Sequence, residues 1–254
     1  MKDFITKAFL LFACGALASH ASHAQDEKYG DTPEQQLLCK EGLSVYRSYK
    51  KQKNYAEAYT QWRKACEVCP ETASEGIYAD GTSFINYVLK SVDAEDPRHA
   101  ALVDSLLYLH DKRMELFPST KRKPNNRCEI LGRKASDFYK YNADSHQEAY
   151  EMFKESLDCL GASSSATTMY QYYTASFYTL TRSLKGDSTA QQTMRAQMLT
   201  DYLLIGDYIA QAVTKAEEAG KAKDLERLDK AKGNIETVFL AIADCADMVP
   251  AVSY

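Results

Sequence analysis

An all-α chain of about nine helices, folded as successive helical hairpins, is what three observations predict. All six prolines (Pro33, Pro70, Pro97, Pro118, Pro124 and Pro250) sit where a helix can begin or end. Between them, apolar residues recur at helical spacing. Only 11 glycines occur, and no segment alternates apolar with polar residues around Gly-Asn turns, so strands are not expected.

The elements follow in order. A helix over about 33–52 opens on Thr32-Pro33, an N-cap residue followed by proline at the first helical position. One over about 54–69 closes at Pro70. The next, about 73–91, opens on the capping box Thr72-x-x-Glu75 and carries Ile77, Gly81, Phe84 and Val88 on one face. Asp96-Pro97 opens the helix 97–117, which Pro118 closes, and a helix over 126–141 follows Pro124. Ser145-x-x-Glu148 is a second capping box, opening 145–160. Helices over 165–184, 188–219 and 224–248 complete the set. Met194, Met198, Tyr202, Ile205, Ile209 and Ala212 form the stripe of the second of these. Leu225, Leu228, Ile235, Val238, Ile242 and Cys245 form that of the third. Connections are short, so sequential helices should pack as antiparallel neighbours. The loops 119–127 (STKRKPNNR) and 161–166 (GASSSA) are too short to serve as domain linkers, so a single domain over 25–254 is expected.

The composition suits a globular protein with a sizeable core: 254 residues, 45% hydrophobic and 26% charged. A formal charge of −4, from 31 basic and 35 acidic side chains, argues against a nucleic-acid binder, which would carry a net basic face. Scarce glycine argues against sandwiches, barrels and glycine-rich phosphate loops.

The N-terminus reads as a targeting segment. Lys2 and Lys7 precede an apolar run from Ala8 to Ala18, and Ser22-His23-Ala24 supplies small residues before a cleavage point at Gln25. A basic start, a short apolar core and a small-x-small exit make a secretory signal peptide. Cys14 after Leu11-Phe12-Ala13 fits a lipoprotein site poorly. No later segment reaches the roughly 18 consecutive apolar residues of a membrane-spanning helix, so no transmembrane segment is expected. An exported protein of the periplasm or cell surface follows.

The segment 39–70 recurs in degraded form at 128–161. Gly42 matches Gly132, Tyr49 matches Tyr139, and Glu57-Ala58-Tyr59 with Trp62 matches Glu148-Ala149-Tyr150 with Phe153. Small residues let two helices of a hairpin approach, and a large aromatic wedges into the next hairpin. One hairpin cannot bury its face alone, so copies must stack.

Residues 46–70 resemble a tetratricopeptide repeat. In the second helix Ala58, Trp62, Ala65 and Pro70 meet that family's spacing, and Tyr49 sits where its first helix carries an aromatic. The copy at 128–161 departs at Ser156 and Gly161. More specifically, the segment looks like the start of a family of secreted, largely uncharacterised bacterial repeat proteins. The resemblance implies a right-handed hairpin solenoid, with Ala58, Trp62, Ala65, Pro70, Ala149 and Phe153 as repeat-packing residues. It also implies a concave groove lined by first helices, showing Leu43, Arg47 and Lys50 in one repeat and Arg133, Asp137 and Lys140 in the other.

Six cysteines remain after cleavage, an even number in an exported chain. With the first turn near residue 53, Cys39 meets Cys66 or Cys69 at the open end of the hairpin. Cys69 is preferred because it lies at the helix end and matches the resemblance better. Cys128 meets Cys159 in the same way. Cys66 and Cys245 are then expected as buried free thiols.

Little else points to chemistry. Cys66-Glu67-Val68-Cys69 closes a helix, whereas a redox CxxC opens one. His99, His110 and His146 read as helix-surface or cap-adjacent residues. Glu217-Glu218 diverge on a polar face and make no acid/base pair. Neither cofactor nor metal is expected, and no catalysis. The loop cations Lys121, Arg122, Lys123 and Arg127 read as solvated. Of the aromatic run, Tyr170, Tyr173 and Phe177 are expected in the core, while Tyr172 and Tyr178 point elsewhere and could stack on a sugar or peptide. The expected function is a scaffold or adaptor that binds another protein or peptide in the cell envelope. The alternative is an accessory protein for glycan or peptide uptake.

Overall fold

The computed structural model describes residues 26–243. The signal segment, its cleavage point at Ala24-Gln25, Cys14, Cys245 and Pro250 lie outside the described residues. Nine α-helices occur among the described residues: α1 (Pro33–Lys51), α2 (Tyr55–Val68), α3 (Glu75–Leu89), α4 (Pro97–Leu116), α5 (Asn126–Tyr141), α6 (His146–Leu160), α7 (Ala166–Tyr178), α8 (Ser188–Glu218) and α9 (Ala222–Leu240). Single turns of 3-10 helix, Glu27–Tyr29 and Gly161–Ser163, precede α1 and α7. The described residues hold no strand, only an isolated bridge between Thr120 and Lys123. The helices gather into two compact units, one running through Lys112 and one from Arg113.

In the first unit α1 and α2 form a hairpin, joined at its open end by the disulfide Cys39–Cys69, Cα–Cα 4.7 Å. Thr32 caps α1 by accepting a hydrogen bond from the Gln35 amide, with Pro33 at the first helical position. Leu43 and Tyr46 from α1 meet Ala58, Trp62 and Ala65 from α2 in the core. Trp62 extends beyond its hairpin. Its indole N–H donates to the Ile77 carbonyl of α3 at 2.8 Å, and its ring lies edge-on to Phe84. Pro70 is half-buried in the turn that follows.

In the second unit α5 and α6 form a like hairpin, joined by Cys128–Cys159, Cα–Cα 6.2 Å. Ala149 and Phe153 are fully buried there. Gly132 sits where a Cβ would come within 2.8 Å of Ser156 Oγ, and that hydroxyl donates to the Cys128 carbonyl. The hairpin thus closes on a glycine-serine contact. Helix α7 packs on α6, and α9 returns to pack on both α7 and α8. Met169, Tyr173, Met198, Ile205, Ile235 and Phe239 fill that core.

Helix starts differ in detail from the sequence reading. Ser74, not Thr72, caps α3, accepting from the Gly76 amide, because the helix begins two residues later than a Thr72 box requires. Ser145 stands at the start of α6 but makes no side-chain cap bond. Helix α7 does not run smoothly to 184. It continues as a π turn over Thr179–Ser183, closed by Leu184 N–H to Thr179 carbonyl at 3.0 Å. The widened turn offers the Leu180 carbonyl to Gln191 Nε2 at 3.2 Å. Helix α9 ends at Leu240, short of 248.

Candidate functional site

The expected groove residues of the first repeat are already occupied. Leu43 is 3% exposed and belongs to the hairpin core, so it lines no groove. Its position on the α1 stripe with Cys39 and Tyr46 explains the burial. Arg47 is exposed, yet its guanidinium lies over the Tyr46 ring and donates to Ser74 Oγ at 3.0 Å. Lys50 is ion-paired with Asp80 of α3. In the other repeat Arg133 is exposed, and Asp137 is half-buried. Lys140 lies over the Tyr141 ring, its Nζ 2.7 Å from that hydroxyl. The two trios belong to different units.

Several other residues sit differently from their expected places. Cys66 is free but exposed on the outer face of α2. Its sulfur is still partly desolvated, and this burial together with the Glu67 carboxylate pushes the thiol up to about 11. Two of the loop cations are paired, Lys123 with Glu129 at 2.5 Å and Arg127 with Glu155 at 3.0 Å. Tyr170 and Phe177 are half-buried rather than core. His110 is buried, because it follows Leu106 and Leu109 on the inward stripe of α4.

The most structured polar cluster lies in the second unit, where α6, α7 and α8 meet. Tyr172, expected to project outward, is 1% exposed. Its hydroxyl donates to Asp201 Oδ2 at 2.5 Å, and its ring stacks on Tyr150 at 5.3 Å. Asp201 is itself buried on α8, and its other oxygen accepts from Gln197 Nε2 at 2.8 Å. A buried carboxylate is tolerable only when hydrogen-bonded in this way. Burial, then the bond to Asp201, drives the Tyr172 phenol far above its ordinary range. Tyr173 beside it donates to the Met198 carbonyl at 3.1 Å.

His146 opens α6 and faces inward. It is 4% exposed, stacked on Tyr178 at 5.1 Å and met edge-on by Tyr139 at 5.8 Å. Neither ring nitrogen has a hydrogen-bond partner. Burial, with Arg182 nearby, holds its pKa below the usual histidine value. Arg182 lies 4.5 Å over the other partner ring, Tyr178, which is therefore packed against protein on His146 and Arg182.

Beside this cluster runs a groove of about 520 Å³. Gln147 and Tyr150 of α6 form one wall, Leu184 closes the end, and Ala190, Met194 and Gln197 of α8 form the other. Thr179, first residue of the π turn, also lines it. Its hydroxyl is buried without a hydrogen-bond partner. Asp187 caps α8 at the rim by accepting from the Ala190 amide at 2.9 Å. The surface is mainly apolar, with two side-chain amides and a phenol that can fix orientation, which is the usual make-up of a binding site. The described residues contain no cluster of metal-ligating side chains.

None of Gln147, Thr179, Gln197 or Asp201 stands out by residue type. Asp201 did leave a trace: it occupies the inward register between Met198 and Ile205, where an apolar residue belongs. The π turn left none. No family model matches the chain, and no curated protein matches it significantly.

Proposed function

We propose that the protein is a non-enzymatic scaffold of the cell envelope, built of tetratricopeptide-like hairpins, that holds a segment of a partner protein in the groove between α6, the π turn and α8. The observation that carries this reading is the groove itself. The apolar side chains of Leu184 and Met194 that line it would take a partner's aliphatic side chain, and Gln147, Gln197 and the unpaired Thr179 hydroxyl would satisfy its backbone. The two disulfides fit an exported protein in an oxidising compartment. No helix among the described residues is long and apolar enough to cross a membrane. The periplasm or cell surface is the proposed location. Glycan uptake has less support, since Tyr172, the ring best suited to stack on a sugar, is buried against Tyr150.

The test is a peptide display selection against the chain from residue 25, followed by affinity measurement on an Ala190→Glu variant. Ala190 is half-exposed in the first turn of α8, where an added carboxylate suits the helix and fills the groove. Selected peptides should bind the variant at least tenfold more weakly at an unchanged melting temperature. Equal affinity for both proteins would remove the groove from the proposal.

A further inference from the structure

A second concavity lies near the other end of α8. Ala212 and Lys215 line it, about 20 residues from Met194, which along a helix is roughly 30 Å. It is independent of the groove above. We propose that this cleft is an oxyanion site, taking a phosphate group carried on a small molecule or a lipid head group.

Three features converge there. The first is a pair of helix N-termini. Ser165, Ala166 and Thr167 bring the start of α7 to the cleft, and Lys221 and Asp224 bring the start of α9. Ser165 Oγ accepts from the Thr168 amide, so the amides of Ala166 and Thr167 keep no intrahelical acceptor. Helix α9 opens on Lys221, which makes no side-chain cap bond. The α7 end presents N–H groups, and both ends present the positive pole of a helix dipole; at α9 the lining amides of Lys221 and Asp224 are already bonded to the Ala216 and Lys221 carbonyls.

The second feature is charge. Lys215, Lys221 and Arg227 line the cleft, against one carboxylate, Asp224, which Arg227 holds at 3.2 Å. The carboxyl end of α8 could oppose an anion, but the carbonyls of Lys215, Ala216 and Glu217 in its last turn are taken. Gly220, at φ +63°, ends the helix. Its amide donates to the Glu217 carbonyl at 3.0 Å, and that of Lys221 donates to the Ala216 carbonyl at 2.8 Å. A lysine at the N-cap of α9, followed by Lys223, places cations where helices prefer Ser, Asp or Asn. This local mismatch is removed when an anion sits between them.

The third feature points directly to a ligand. Ser164 lines the cleft, is only 6% exposed, and its hydroxyl has no hydrogen-bond partner. A buried hydroxyl left unpaired costs about 1–3 kcal/mol, so such groups are normally satisfied. An oxyanion oxygen between Ser164, the α7 amides and Lys215 would satisfy it. The cleft holds about 400 Å³, room for a phosphate with an organic group attached. The Ser163-Ser164-Ser165 run thus serves as a hydroxyl-lined wall without any glycine-rich loop.

The experiment titrates the chain from residue 25 with inorganic phosphate at low ionic strength, followed by amide chemical shifts. Saturable shifts at Ala166, Thr167 and Lys221 are expected. Affinity should fall at least tenfold in Lys215→Gln/Lys221→Gln, fall several-fold in Ser164→Ala, and stay unchanged in Ala190→Glu, which alters only the distant groove. Both lysines are exposed, so the double variant should keep its circular dichroism. Vesicles of phosphatidylcholine with phosphatidic acid separate the two sources. Co-sedimentation lost in the double variant assigns the phosphate to a lipid head group. Phosphate binding without co-sedimentation assigns it to a soluble ester. Absence of saturable shifts at these amides in the wild-type chain, or equal phosphate affinity in the double variant, would overturn the site.

Discussion

The Trp62 indole fills the space beside Gly81: a Cβ on Gly81 would lie 2.3 Å from Trp62 Cζ2 and 2.9 Å from Leu109 Cδ1. Three helices, α2, α3 and α4, therefore meet where one residue has no side chain. Gly81→Ala should destabilise the first unit by about 1–3 kcal/mol through overpacking, despite the better helix propensity of alanine. Trp62→Phe should cost a similar amount by losing the bond to the Ile77 carbonyl and part of the ring. Urea unfolding checks both. A Gly81→Ala protein as stable as wild type would mean that Trp62 does not hold this position.

The buried phenols set the alkaline limit of stability. Burial raises Tyr46 and Tyr139 from about 10 to about 12, and Tyr172 and Tyr173 further still. A group whose folded pKa lies above its unfolded one stabilises fully below the unfolded value, here near 10. That contribution is lost as pH rises from there through the folded values. Stability should therefore fall steeply between pH 10 and 12. In an absorbance titration a fraction of the 18 tyrosines should ionise only on unfolding. Tyr172→Phe should cost about 1.5–3 kcal/mol at neutral pH, as expected for a bond to a carboxylate.

His146 sets an acid limit of the opposite sign. Its folded pKa is depressed, so the unfolded state binds its proton first, and its contribution to stability falls as pH drops below about 6.5. Neither nitrogen is satisfied, so His146→Phe should be neutral or stabilising at pH 7 and should flatten the stability profile between pH 7 and 5. Paired melting curves across that range measure the difference. An equal acid dependence in both proteins would place the titration elsewhere.

The helices were legible because their signals are local. Thr32-Pro33, Pro70 and Pro97 mark boundaries through backbone geometry alone, and the stripe through Met194, Met198 and Ile205 fixes an inward face. What was not legible depends on partners far along the chain. Tyr172 and Tyr173 are adjacent on one helix, and spacing suggests that only one can be core. Both are buried because α6 and α8 cover the two sides of α7 and Asp201 supplies an acceptor. His146 looked like a first-turn surface residue, and Tyr178 of the next hairpin covers it. The groove depends on a π turn, which carries no sequence signal. The cations of the oxyanion cleft come from α8, α9 and the turn between them, about 50 to 64 residues beyond the serines that face them.

Each disulfide staples one hairpin, and their effects should be separable. Cys39–Cys69 closes a separation of 30 residues and Cys128–Cys159 one of 31, each within a single unit. For loops of this length the chain-entropy relation gives about 3–4 kcal/mol apiece. Replacing one pair by alanine should therefore loosen its own unit. Amide exchange in Cys39→Ala/Cys69→Ala should quicken along α1 and α2 and stay near wild type along α5 and α6, with the reverse for Cys128→Ala/Cys159→Ala. The second hairpin should keep more of its structure, because the Ser156 hydroxyl also ties α6 to the Cys128 carbonyl at 2.8 Å. The weaker contact in the first hairpin is Cys69 Sγ to the Cys39 carbonyl at 3.5 Å, and that contact goes with the disulfide. Exchange that quickens equally in both hairpins after either replacement would show the units to be one cooperative body, and would count against local stapling as the role of these bonds.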